Sequence, residues 1–188
     1  MGSDPRLEPN QSDLRRLGPR GIGGWLAFFV VSQLISAALT LVSLIGNLDA
    51  FRGDAWALGD QVPVYRPLVI IETVAQVALV ALIAVGLALL FKQHPSTKTF
   101  YTRFLLGVFL YAAIEFVGLK LLYSQMTDFV VSAGQPTTEL EESGSKATMA
   151  TLRLALYSLI WLAYWRQSAR VANTFTPQGG PPPPATLS

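Results

Sequence analysis

The 188 residues are 51% hydrophobic and 14% charged, with a mean hydropathy of +0.41. A soluble domain carries about 25% charged residues, so this composition argues against a soluble globule. Fourteen basic and twelve acidic residues leave a formal charge of +2, too little for a strongly basic nucleic-acid surface. Cysteine is absent and His94 is the single histidine, which excludes disulfides, thiolate chemistry and a histidine or cysteine metal centre within one chain.

In chain order, residues 1–20 form a disordered or interfacial tail, with an amphipathic turn at Ser12–Leu17. The first apolar stretch, 22–48, carries no charge. Arg15, Arg16 and Arg20 precede it, but a signal-peptide core spans only about 7–15 apolar residues, so the stretch reads as a retained helix. Asn47, Asp49, Gly53, Asp54, Gly59, Asp60 and Pro63 then break the chain. The second stretch, 68–91, has Glu72 as its only charge and Pro67 in its opening turn, where a missing amide hydrogen costs little. Gln93, His94, Pro95 and Ser96 predict a tight turn. The third stretch, 100–123, contains Arg103, Glu115 and Lys120. An acidic loop, 124–146, follows, with Gly134, Pro136 and Gly144 as breakers and Ser143 or Ser145 as a helix cap. The fourth stretch, 147–165, holds Arg153. Residues 176–188 form a disordered Gly/Pro-rich tail in which four prolines favour polyproline II.

A spanning helix needs about 20 mostly apolar residues, and no period-2 alternation suggests a barrel. The expected fold is therefore all-α: an integral membrane bundle of four transmembrane helices in one domain, 21–175. Lys and Arg near helix ends set orientation. Arg15, Arg16, Arg20, Lys92, Lys98, Arg103, Arg166 and Arg170 fall on one side. Arg52, Arg66, Lys120, Lys146 and Arg153 fall on the other, several beside acids. The first side is expected to be cytoplasmic, giving an N-in/C-in topology. Trp25, Tyr101, Tyr164 and Trp165 would then mark the inner interface, and Trp56, Tyr65 and Tyr123 the outer one.

Charge at the bilayer centre costs roughly 2.5–3.5 kcal/mol per residue, so retained polar groups ask for a reason. Glu72, Gln76, Tyr111, Glu115, Lys120 and Arg153 form a candidate intramembrane cluster in the outer half. Glu72 and Gln76 share a face, as do Tyr111 and Glu115. Glu115 and Lys120 are about 140° apart around the helix, so Glu115 is expected to meet Arg153 or a group on the second helix. Ser32, Ser36, Thr40 and Ser43, with Gln33 beside them, form a polar stripe suited to interhelical hydrogen bonds.

Two end motifs carry a family resemblance. Gly23-Gly24-Trp25-Leu26 opens the first helix, and Ser168-Ala169-Arg170-Val171-Ala172-Asn173-Thr174-Phe175 follows the fourth. With four hydrophobic helices between them, these resemble the bacterial membrane family called domain of unknown function 2569, over about Gly21 to Phe175. In that family basic residues often stand where this chain has Ala169 and Ala172. The resemblance implies a bacterial inner (cytoplasmic) membrane protein and supplies no activity. Physically, Gly23 and Gly24 expose amides at a helix N-terminus. Arg20, Trp25, Arg166, Ser168 and Arg170 lie beside them as a candidate lipid or partner contact, with simple anchoring as the alternative.

No G-x-S-x-G, H-E-x-x-H or Walker A motif occurs. The expectation is a non-enzymatic binding or accessory subunit without metal or cofactor. Its partners would be the lipid bilayer and another membrane protein or a second copy. Two alternatives stay open: a small transporter or proton-coupled component using the polar cluster, and a membrane enzyme using Glu72 and Glu115 on a lipid-linked substrate.

Overall fold

Four helices are long and apolar enough to cross a membrane, and each grows from one of the four hydrophobic stretches. In lipid the backbone must satisfy its own hydrogen bonds, and the helix does so within each segment. The computed structural model describes residues 20–175. The expected turn at Ser12–Leu17 and the proline tail lie outside the described residues. Helix α1 is Trp25–Asn47. A 3₁₀ turn at Leu48–Phe51, the short helix α2 at Gly53–Ala57 and a second 3₁₀ turn at Leu58–Asp60 lead to α3, Tyr65–Phe91. Helix α4 is Thr97–Ser132, α5 is Thr138–Gln167 and α6 is Ala169–Phe175. The spanning helices are α1, α3, α4 and α5.

The turn between α3 and α4 closes by backbone geometry. Gln93 lies at φ 49°. Its amide donates to the carbonyl of Leu90, and that of His94 donates to Leu89, the paired bonds of a Schellman cap. Thr97, fully buried, donates its hydroxyl to the carbonyls of Leu89 and His94. The end of α3 and the start of α4 are thereby locked together.

The third and fourth helices are longer than their apolar stretches. Helix α4 continues past Tyr123 to Ser132, and α5 begins at Thr138 rather than near Ala147. The expected long acidic loop is reduced to a short turn around Gly134 and Pro136. Nothing between Ser124 and Ser132 breaks a helix. Gly134, at φ 68°, ends α4 with the amides of Gly134 and Gln135 bonding to Val131 and Val130. Glu139 and Glu141 suit the positive N-terminal end of α5, and Gly144 brings α5 against the Tyr123 ring.

Helices α4 and α5 pair along their length, and α1 packs on α3. Helix α3 touches α4 closely where Gly86 meets Phe100 and Tyr101, and again where Gly118 meets Leu68. The buried core gathers at the end of the bundle that carries both described chain ends. There the Phe29 ring centroid lies 4.9 Å from Tyr101, 4.7 Å from Trp161 and 5.4 Å from Trp165, and Tyr101 stacks on Trp165 at 4.5 Å. Tyr101 and Trp165 are thus fully buried in the bundle. Aromatic pairing adds to what their burial alone provides. Trp25 does stay exposed beside them. Leu39, Val42, Ile45, Ile114 and Leu156 face outward, as a bilayer solvent allows.

At the opposite end Arg66 organises the connection. It pairs with Asp60 at 2.8 Å, donates to the Trp56 carbonyl at 3.1 Å and lies over the Trp56 ring. Phe51 stacks on that ring from α1's side of the connection.

Candidate functional site

The two end motifs meet at the chain-end face. The amide of Gly21 donates to Thr174 Oγ1 at 3.0 Å, across 153 positions of sequence. Arg170 Nη1 donates to the carbonyl of Arg20 at 3.4 Å and lies 3.1 Å from where a Cβ on Gly23 would sit. Gly24 adopts φ 54° and ψ −131°, a conformation open to glycine. The Ser168 hydroxyl accepts the amide of Val171 and so starts α6, and Phe175 stacks on Trp165. Arg20, Gly23, Gly24, Ser168 and Arg170 are therefore brought together as a clasp. The Arg170 guanidinium is spent on backbone within it. Arg166 points outward, and Trp25 packs edge-on against Phe28 and Trp161.

The second assembly is the intramembrane polar cluster. Glu72 and Gln76 on α3 face Ser43 and Asn47 on α1, each pair one helical turn apart. Glu72 Oε1 accepts from Gln76 Nε2 at 3.0 Å and from Asn47 Nδ2 at 3.3 Å. Gln76 Nε2 also lies 3.4 Å from Ser43 Oγ, while its own carbonyl oxygen is buried without a partner. From α4, Glu115 lies within electrostatic reach of Glu72, and Tyr111 within reach of both carboxyl groups. Glu72, Gln76, Tyr111 and Glu115 thus share one region of the bundle.

Arg153 and Lys120 do not join it. The ion pairs among the described residues link Arg66 to Asp60 and Lys146 to Glu142, and none joins Arg153 to Glu115. The expected Glu115–Arg153 contact is absent because α5 turns Arg153 to the exposed surface. The other expected alternative, a group on the second helix, is Glu72 of α3, which lies within electrostatic reach of Glu115. Lys120 is also exposed and lies over the Phe116 ring at 5.7 Å. No group of metal-ligating side chains occurs among the described residues.

A third polar link ties α1 to α5. Ser32 gives its hydroxyl proton to the Phe29 carbonyl at 2.8 Å, so Tyr157 donates to Ser32 Oγ at 2.7 Å and accepts from Gln33 Nε2 at 3.1 Å. Gln33 is 2% exposed and its Oε1 has no partner. Of the serine–threonine stripe, Ser32 and Ser43 reach across helices, whereas Thr40 bonds back to Ser36 within α1. Sequence reasoning missed Tyr157 and Asn47. A tyrosine inside a spanning helix was the available signal for the first, since a buried phenol seeks a partner.

The family described as "Protein of unknown function (DUF2569)" matches residues 19–176, so the chain belongs to that family. No curated protein and no solved structure matches the chain.

Proposed function

We propose that this DUF2569 protein is a non-enzymatic accessory subunit of a bacterial inner-membrane assembly, with both described ends on the cytoplasmic side. The reading starts from four helices long and apolar enough to cross a membrane. One observation supports the accessory role. Arg153 lies about 18 Å along α5 from Trp165, at 1.5 Å per residue, within a hydrocarbon layer of about 30 Å. It faces outward, with no carboxylate in ion-pair range among the described residues. Arginines at such depth almost always face a bundle interior or a water-filled cavity and pair with a charge or with backbone carbonyls. An acidic or carbonyl-presenting helix of another chain would meet that need. The basic residues at the end holding Lys92, Lys98, Arg166 and Arg170 support the orientation.

A photo-crosslinker at Leu156, one turn from Arg153, tests the role in intact membranes. The expected result is one discrete adduct with a membrane protein or a second copy, lost in Arg153→Glu. Crosslinks to lipid alone, unchanged by Arg153→Glu, would count against it. Reporter fusions after Gln93 and after Thr138 should report the cytoplasmic and the opposite side respectively; the same side for both would defeat the topology.

A second reading rests on a different observation. Glu72, Tyr111 and Glu115 converge with no cation beside them among the described residues. A small proton-coupled transporter would use such a group. Glu115→Gln should then abolish pH-driven uptake in reconstituted vesicles while the protein folds normally.

A further inference from the structure

Helices α3 and α4 diverge on their outward side and leave a groove of about 670 Å³, floored by Leu154 of α5. Its walls are almost wholly apolar, with Leu79, Leu82, Phe104 and Val108 along its length. Polar groups stand at its two ends. Ser96, Thr99 and Arg103 lie at the end nearest the α3–α4 turn, and Gln76 and Tyr111 at the other. Ser96, Thr99 and Arg103 share one face at spacings of three and four. Arg103 is exposed and has no ion-pair partner among the described residues.

We infer that this groove holds one acyl chain of an anionic glycerophospholipid, from the leaflet on the side of the α3–α4 turn, with the lipid phosphate seated at Arg103. Three features carry the assignment. The first is length. Arg103 to Tyr111 spans about 12 Å at 1.5 Å per residue, within the ~15 Å depth of one hydrocarbon leaflet. The second is polarity along that length. One end supplies a guanidinium and two hydroxyls where a headgroup would sit, and the middle supplies only hydrocarbon. The third is Gly107. A Cβ built there meets nothing within 4 Å, unlike Gly86 and Gly118, whose missing side chains let α3 and α4 touch. Gly107 therefore keeps space open rather than bringing helices together. A mobile chain of methylenes fills such a recess without directed bonds. The groove lies on α3 and α4, so this lipid site stands apart from the partner role assigned to Arg153.

The test uses the full chain, stripped of native lipid by detergent exchange. It is then titrated with dioleoyl phosphatidylglycerol or dioleoyl phosphatidylcholine and read by native mass spectrometry. Wild type should bind phosphatidylglycerol at one per chain, about fivefold more tightly than phosphatidylcholine, the ~1 kcal/mol that a basic residue near the surface contributes toward anionic lipid. Arg103→Gln should bind both lipids equally, keeping the chain site and losing headgroup selection. Gly107→Leu, which fills the groove from α4, should lower occupancy of both at least tenfold. Ala78→Phe fills it from α3 and should do the same, so the result does not hang on one variant. Each variant must elute as wild type does by size exclusion. The inference is overturned if wild type shows only a statistical spread of bound lipid, or if both groove-filling variants bind as wild type does. Loss of a bound protein or second copy from those variants, with lipid unchanged, would overturn it equally.

Discussion

Replacing Tyr157 with Phe removes one oxygen and breaks the polar link between α1 and α5. In the native bundle that oxygen donates to Ser32 and accepts from Gln33. Interhelical hydrogen bonds in membranes average about 0.6 kcal/mol each. Their loss is the smaller part of the effect. Gln33 is buried and its Oε1 already has no partner, so the substitution strips the remaining contact from its amide. A buried donor left without a partner costs about 1–3 kcal/mol. We expect Tyr157→Phe to destabilise the bundle by about 1.5–3.5 kcal/mol in all, the Gln33 bond being counted once, as the orphaned donor. Adding Gln33→Leu should return at least about 1 kcal/mol, because apolar replacement of both partners is close to neutral. The assay is equilibrium unfolding in mixed micelles by SDS titration. Tryptophan fluorescence serves as the probe, since Trp161 and Trp165 lie in the same core. A loss below about 0.5 kcal/mol for Tyr157→Phe, or a double variant no better than the single, would refute the reasoning.

Two glycines on facing helices should respond in opposite directions in the same unfolding assay. Gly86→Ala places a methyl 2.8 Å from Phe100 and Tyr101 and should cost about 1–3 kcal/mol by overpacking. Gly107→Ala meets open space and should gain up to about 1 kcal/mol from helix propensity. Gln93→Gly should also stabilise, by about 1 kcal/mol, because glycine adopts the positive φ of that cap without the penalty an L side chain carries. No change in midpoint for Gln93→Gly would show that the cap is not strained.

The spans were legible because lipid leaves few choices. Twenty apolar residues with sparse charge must form a helix, and Gln93 to Ser96 must turn. The extension of α4 to Ser132 was not legible from hydropathy, since that signal reports solvent and falls silent where a helix leaves the bilayer. Residues 124–132 keep the helix because no breaker intervenes and Tyr123 finds Gly144. The cluster was half legible. Spacing placed Glu72 with Gln76, and Tyr111 with Glu115, on common faces. Which faces meet depends on helix rotation, and rotation is set by contacts such as Gly86 with Tyr101 and Gly118 with Leu68. Without those, Glu115 could face either Arg153 or a group on the second helix; Arg153 is exposed, and Glu72 of the second helix lies within electrostatic reach of Glu115. The clasp was legible as a grouping of the two motifs at one face, but its bonds, such as Gly21 to Thr174 and Arg170 to Arg20, were not, because they depend on how the helix ends dock.

The bond from Gly21 to Thr174 can close only after α6 has been made. Helix α1 is made first, yet the rings that bury Phe29 belong to Tyr101, Trp161 and Trp165, and the residues leading into it, Arg20 and Gly21, are held by Arg170 and Thr174. At a translation rate of about 5–20 residues per second, α1 waits in the membrane for several seconds with its aromatic face unmet. During that interval its neighbour is α3, joined through Ser43, Asn47, Glu72 and Gln76. The polar ladder at one end of the pair can therefore form before the aromatic core at the other is complete. The bundle closes like a book whose spine is polar and whose clasp is the last line written.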